Sequence, residues 1–295
     1  MEIGVHVPQV GPLANAKVIG EFAQAADDAG FDALWVFDHV VLQKEQQSKY
    51  PYSPDGSLGF PPTLDFLEPL TLLSWLAGIT KRVRLGTSVL VLPMRQPVLH
   101  AKIMATIDHL SGGRFILGAG VGWWQQEYEV LGVPFERRGA RMDECLQLLR
   151  ALWTEEFVQF KGAFYECVDW TCNPKPARPG GIPIWLGGES RAQLRRVGKY
   201  AEGWLATARS LPTLKGDFAV AQEAAAQAGR DPAALQLAVE GGGTLKPDNI
   251  DQVVERLGRL RELGVGHAIV GVHPAHMAEA RPVLEGFAKS FGVSS

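Results

Sequence analysis

One pattern constrains this chain more than any other. A short apolar run, then a longer stretch with helical spacing, recurs eight times. The runs cover about 3–7, 33–37, 83–90, 115–119, 183–186, 203–206, 235–240 and 267–272. Brief apolar runs bounded by turn signals read as strands covered on both faces. Strands separated by helices must lie parallel. The helical stretches carry the expected stripes. Val18, Phe22, Ala25, Ala26 and Ala29 share one face of 15–29, and Gly30 ends it. Met142, Cys145, Leu146, Leu149, Leu152 and Trp153 do the same over 138–153. Open doubly wound sheets rarely repeat the unit so evenly to eight. The expected fold is α/β, a (β/α)8 TIM barrel with loop insertions at its C-terminal face, formed as one domain over 1–295. A chain of 295 residues suits it, since such barrels need roughly 250.

Two insertions interrupt the rhythm. Residues 40–67 are polar and proline-rich with little periodicity, as in a lid or binding loop. Residues 157–167 read as a small hairpin turning at Gly162. Hydrophobic residues make up 46% of the chain, enough for a large core. A net charge of −3 with no basic block argues against a nucleic-acid partner. No run approaches the ~18 uninterrupted apolar residues of a membrane span. The start, MEIGVHVPQ, is a strand signal and not a secretion signal. Three cysteines give an odd count: Cys145 on a helical stripe, and Cys167 and Cys172 with no histidine close by. That is a poor zinc set and fits a reducing compartment. The reading is a cytoplasmic protein with a small-molecule substrate.

Barrel enzymes build their sites from strand C-terminal ends and the loops that follow. That rule selects Asp38-His39; Thr87-Ser88-Val89; Gly120-Val121-Gly122-Trp123-Trp124-Gln125-Gln126-Glu127; and Gly187-Gly188-Glu189-Ser190-Arg191. His39 is the candidate for moving a proton, because imidazole titrates near neutrality. His6, ending the first strand, reads either as a functional group or as a residue that only lines the pocket; His273 is the other histidine placed to face the mouth. Gly187 and Gly188 at a strand-to-helix junction suit phosphate. Arg191 adds charge, and Glu189 repels an anion unless it points away. The competing reading is a tight turn capped by Ser190, and the glycines at 241–243 are a rival phosphate site. The glycine-rich run at 118–122 suits a flat wall against a planar ring. Trp123 and Trp124 read equally well as pocket walls or as helix packing.

At these residues the chain resembles the luciferase-like monooxygenase superfamily, and within it the branch of oxidoreductases that use the deazaflavin coenzyme F420. The matching segments are Phe37-Asp38-His39; Arg84-Leu85-Gly86-Thr87-Ser88-Val89-Leu90; Asp108-His109-Leu110-Ser111-Gly112-Gly113-Arg114; Gly118-Ala119-Gly120-Val121-Gly122-Trp123; Phe135-Glu136-Arg137-Arg138-Gly139; and Pro183-Ile184-Trp185-Leu186-Gly187-Gly188-Glu189-Ser190. The resemblance implies a hydride-transferring enzyme with Asp38 and His39 beside the ring, His39 handling the proton. It implies a non-prolyl cis peptide at Ser88-Val89 forming a bulge behind the ring. Gly120, Val121, Gly122 and Trp123 would run along the cofactor, and Gly187, Gly188 and Ser190 would hold its phosphate. It also implies a homodimer. The alternatives it leaves are a reduced-FMN monooxygenase fed by a separate reductase, and a catalytically silent flavin-binding barrel. Trp123 stands where relatives that oxidise sugar phosphates carry glutamate, and no cationic cluster is evident. With Tyr50, Tyr52, Phe60 and Pro61 in the lid, the expected substrate is a fairly apolar organic molecule.

Overall fold

The computed structural model describes residues 1–208 and 211–292, with side chains at 278 and 279 left out. Eight parallel strands close on themselves: β1 (Glu2–His6), β2 (Ala33–Val36), β3 (Arg84–Thr87), β5 (Phe115–Gly120), β8 (Ile184–Gly187), β9 (Gly203–Thr207), β10 (Gln236–Leu245) and β11 (His267–Val272). β1 pairs with both β2 and β11, Glu2 lying opposite His267, and β3 pairs with β5 to complete the ring. This is the expected (β/α)8 barrel.

Helices α1 (Ala16–Asp28), α2 (Pro69–Ile79), α3 (Pro97–Ser111), α5 (Arg138–Thr154), α6 (Arg191–Tyr200), α7 (Leu214–Gln227), α8 (Ile250–Glu262) and α9 (Ala280–Phe291) cover the outside. Their ends follow local chemistry. Asn15 caps α1 by accepting from the Val18 amide, and Gly112 closes α3 at φ 69°. The third strand departs from its expected span of 83–90. It breaks at a cis Ser88–Val89 peptide and resumes as β4 (Leu90–Val91), which pairs with β5. The seventh runs past 240 because a bulge between Glu240 and Gly243 lets it continue to Leu245. The hairpin is present as β6 (Val158–Lys161) and β7 (Glu166–Trp170). A short helix, α4 (Gln125–Val130), was not legible in the spacing.

The parallel strands alternate between two cores. Outward residues such as Ile3, Leu34, Leu85, Leu117, Leu186 and Val239 join the large layer beneath the helices. Inward residues form a compact plug of Ala33, Trp35, Ile116, Trp185, Leu205, Ala238 and Ile269. Trp35 and Trp185 stack at 5.5 Å. They fit because neighbouring strands offer hydrogen atoms where side chains would be: a Cβ at Gly86 would lie 2.5 Å from the Trp35 ring, and one at Gly203 2.9 Å from Trp185.

Candidate active site at the barrel mouth

Period-two alternation carries the plug up to the mouth. Two residues beyond the inward plug positions stand Phe37, Gly187, Thr207, Glu240 and Gly271; Gly120 stands four beyond Ile116, and His6 ends β1 beside them. The bulge between β3 and β4 adds Val89, which packs on the inner cluster. The rim divides into two arcs. On one, a Cβ at Gly120 would fall 2.7 Å from Val89 Cγ2, and one at Gly187 2.8 Å from Val89 Cγ1. The Val89 side chain therefore occupies a slot that two glycines open. The other arc is polar, with Thr207, Glu240 and His6.

His39 follows β2 at the boundary between the arcs. Its Nδ1 lies 3.0 Å from Glu127 Oε2, while Glu127 Oε1 accepts the Val40 amide at 2.7 Å. The carboxylate side chain is 3% exposed. With Nδ1–H donated to Glu127, Nε2 has no protein partner among the described residues. Aromatic edges fix the ring plane: Phe66 at 5.6 Å, Trp124 at 5.6 Å and Trp123 at 6.2 Å. Glu127 sits on α4, one turn past the glycine-rich run. It was in the strand-end segment but carried no assigned role. Its signal is spatial, because 88 residues separate it from His39.

Asp38 has a different place from the one expected. Both of its oxygens are taken by Arg95, at 2.8 and 2.7 Å, and Oδ2 also accepts the Val91 amide at 2.7 Å. Burial pushes the carboxyl upward; Arg95 and the Val91 amide hold the charged form against it. The pair ties the end of β2 to the segment after the bulge. It leaves no lone carboxylate to handle a proton, so among these two neighbours only His39 presents a reactive atom to the mouth.

Ser88, buried behind the mouth, has a hydroxyl with no hydrogen-bond partner among the described residues. Val121 and Gly122 turn away from the rim. Val121 packs against the outer core and its carbonyl accepts the Tyr128 hydroxyl at 2.6 Å. Gly122, at φ 71°, lies so close that a Cβ would meet Val91 at 2.6 Å. They shape the turn into α4. Trp123 is a wall: it stacks on Trp124 at 5.0 Å and meets Tyr50 of the lid at 5.2 Å.

At the β8 end, Gly188 has φ 108°, and its carbonyl accepts from Trp204 Nε1 at 3.0 Å. Ser190 caps α6 by accepting the Gln193 amide at 3.2 Å. Glu189 is turned to the Thr207 hydroxyl, which removes the anticipated clash with an anion at the helix start. Gln193, 2% exposed beneath Gly188, keeps an Nε2 with no partner among the described residues. The turn thus carries the anticipated Ser190 cap, and beside it a buried side-chain donor that was not anticipated. The rival glycines lie elsewhere: Gly241 and Gly243 line a cavity of about 420 Å³ with His6, Phe37, Glu240, Thr244 and Arg256. Another cavity of about 450 Å³ lies outside the barrel, along α5, β6 and the end of α6, and includes no strand C-terminus.

The remaining histidines and lysines fall outside this centre. His267 is buried at the base, receiving Trp35 Nε1–H on Nε2 at 3.1 Å and giving Nδ1–H to Glu2 at 3.2 Å. His273 accepts the Ala275 amide at the start of the 3-10 turn Pro274–Glu279. Lys102 bonds the Asn173 carbonyl from α3. No helix among the described residues is long and apolar enough to cross a membrane.

The sequence family described as luciferase-like monooxygenase matches residues 1–288. An uncharacterised protein of Mycobacterium tuberculosis is 35% identical over 81% of this chain and 70% of its own. An F420-dependent glucose-6-phosphate dehydrogenase of Amycolatopsis mediterranei is 32% identical over 68% of this chain and 57% of its own. Among solved structures, an F420-dependent secondary alcohol dehydrogenase bound to an F420–acetone adduct superposes with a TM-score of 0.81, at 18% identity, over 98% of both chains.

Proposed function

This chain belongs to the luciferase-like monooxygenase family, and from that premise we propose that it is an oxidoreductase that exchanges a hydride between coenzyme F420 and a fairly apolar organic substrate. The observation that carries the reading is His39, held by Glu127 at 3.0 Å with Nε2 uncommitted, beside an arc where Val89 fills the slot between Gly120 and Gly187. The residues fit such a group. The Val89 arc is apolar and nearly free of side chains, as a planar heterocycle needs, and the buried Ser88 hydroxyl and Gln193 Nε2 lack partners among the described residues. Gly187, Gly188, Ser190 and Gln193 would hold the phosphate, using the backbone at the start of α6.

The chemistry a bound deazaflavin supplies is hydride exchange with a substrate carbon. The protein's own residues do the rest. Val89 supports one face of the site. Trp123, Trp124, Phe66 and Tyr50 exclude water from the other. His39 Nε2 gives a proton to a substrate carbonyl oxygen on reduction, or takes one from a hydroxyl on oxidation. Glu127 fixes the ring by holding Nδ1 and so aims Nε2 at the substrate.

Fluorescence titration of the purified protein with F420, and separately with oxidised and reduced FMN, tests the reading. Saturable F420 binding supports it. Binding of FMN alone moves the assignment to a monooxygenase with a reductase partner, and binding of neither ends it. His39→Asn should depress turnover far more than cofactor affinity; unchanged turnover removes the histidine from the mechanism.

A further inference from the structure

The polar arc of the mouth is built around a second histidine–carboxylate pair that the hydride chemistry does not use. His6 Nε2 lies 3.5 Å from Glu240 Oε1. The imidazole stacks on Phe37 at 4.3 Å, tilted by 22°. Its Nδ1 is buried and has no hydrogen-bond partner among the described residues. Both side chains line the 420 Å³ cavity, within the roughly 300–1,000 Å³ of small-molecule sites. In the ring of strands, β1, β10 and β11 stand opposite β5, so this cavity faces the Val89 arc across the barrel.

We propose that the His6–Glu240 pair is the specificity element for the substrate, selecting an organic molecule that presents a hydroxyl or ammonium donor and rejecting an anion of the same body. This deepens the reading above and rests on it. Glu240 reaches the mouth from the strand itself. A carboxylate there attracts an O–H or N–H donor and repels a carboxylate or phosphate. Arg256, the cation among the residues lining this cavity, comes from α8 outside the barrel; it gives one guanidinium N–H to the Gly241 carbonyl at 3.1 Å, supporting the bulge, and its Nε is buried with no partner among the described residues. The stacked His6–Phe37 surface gives the substrate's apolar body a flat place to lie. His6 Nδ1 is left to meet a second polar atom of the ligand. Tyr50 of the lid feels this wall as well: burial, with Glu240 second, pushes its hydroxyl up to about 12, which keeps it a donor over the cavity.

The probes are benzylamine at neutral pH, benzyl alcohol and benzoate, with binding to the whole chain read by saturation-transfer NMR. Expected is saturable binding of the ammonium and the alcohol, and none of benzoate at equal concentration. Glu240→Gln should lower affinity for benzylammonium at least about tenfold, leaving the alcohol less affected and F420 affinity unchanged. His6→Phe keeps the stack and should weaken the alcohol. Benzoate binding as well as benzylammonium, or an unchanged preference in Glu240→Gln, overturns the proposal. F420 titration of the same samples separates the two readings, because loss of cofactor binding in the wild-type chain strikes at the function and not at this preference.

Discussion

Replacing Asp38 with alanine should lower the stability of the fold and leave the proton step in place. The carboxylate is fully buried, and the Arg95 side chain is 6% exposed. Their two hydrogen bonds, at 2.7 and 2.8 Å, are joined by the Val91 amide at 2.7 Å. Removing one partner of a buried pair costs about 3–5 kcal/mol, because the other charge stays uncompensated. The Val91 N–H loses its acceptor too, adding about 1 kcal/mol. Glu68, 3.9 Å from Arg95 and 41% exposed, swings in to recover a part. A net loss of about 4 kcal/mol is the balance of these effects. At about 2.1 cal/mol/K per residue, 295 residues unfold with an entropy near 0.6 kcal/mol/K, so Tm should fall by about 6 °C. Calorimetry and urea midpoints on Asp38→Ala measure this. The double variant Asp38→Leu with Arg95→Met should recover most of the loss, since no charge is then stranded. A single variant that melts within a degree of the parent yet has lost turnover would refute the anchoring role and return Asp38 to the chemistry.

Glu127→Gln replaces a charged partner of His39 by a neutral one; turnover should drop about ten- to a hundredfold while cofactor affinity holds, and a drop in affinity alone would contradict the positioning role. Gly120→Ala pushes a methyl group to 2.7 Å from Val89; overpacking of about 1–3 kcal/mol should appear in urea unfolding, and adding Val89→Ala should relieve it. Failure of that rescue would mean the glycine serves something other than the Val89 slot. Acid should weaken the barrel base in two stages. Burial lowers His267, so below the ordinary 6.5 the unfolded chain takes a proton that the native one refuses, and stability falls with pH. Its hydrogen bond holds Glu2 at about 2, so further stability is lost as pH falls from 4.5 towards that value. Melting curves from pH 7 to 3 read both, and His267→Asn should flatten the upper stage; an unaltered slope there refutes the assignment.

The barrel was legible because both of its physical periods are local. Strands buried on two faces show unbroken apolar runs, and helices show stripes, so 267–272 and 138–153 announce themselves. The break at Ser88–Val89 was not legible from Val83 to Leu90 as residues, which read as one strand; only the family resemblance pointed to it. Gly120 was read as a wall for a ring and Gly187 as a phosphate contact, and the structure gives both a nearer reason, the Val89 side chain. The deepest miss was partnership. Glu127, Arg95 and Glu240 act through groups 88, 57 and 234 positions away. Charged residues in loops and on helix faces carry no local mark of what they will meet.

The barrel has a seam where β1 lies against β11, joining Glu2 to His267 and Val5 to Val270. The apolar arc comes from the middle of the chain, Val89 to Gly187, whereas His6, Glu240 and Gly271 are brought in from its two extremities. A nascent polypeptide can therefore assemble half a vestibule early, yet it owns no complete one until the last strand zips onto the first. Fragments ending before that strand would offer a ledge without its facing wall. Complementation by a separately made β10–α9 piece would rebuild the whole enclosure at once.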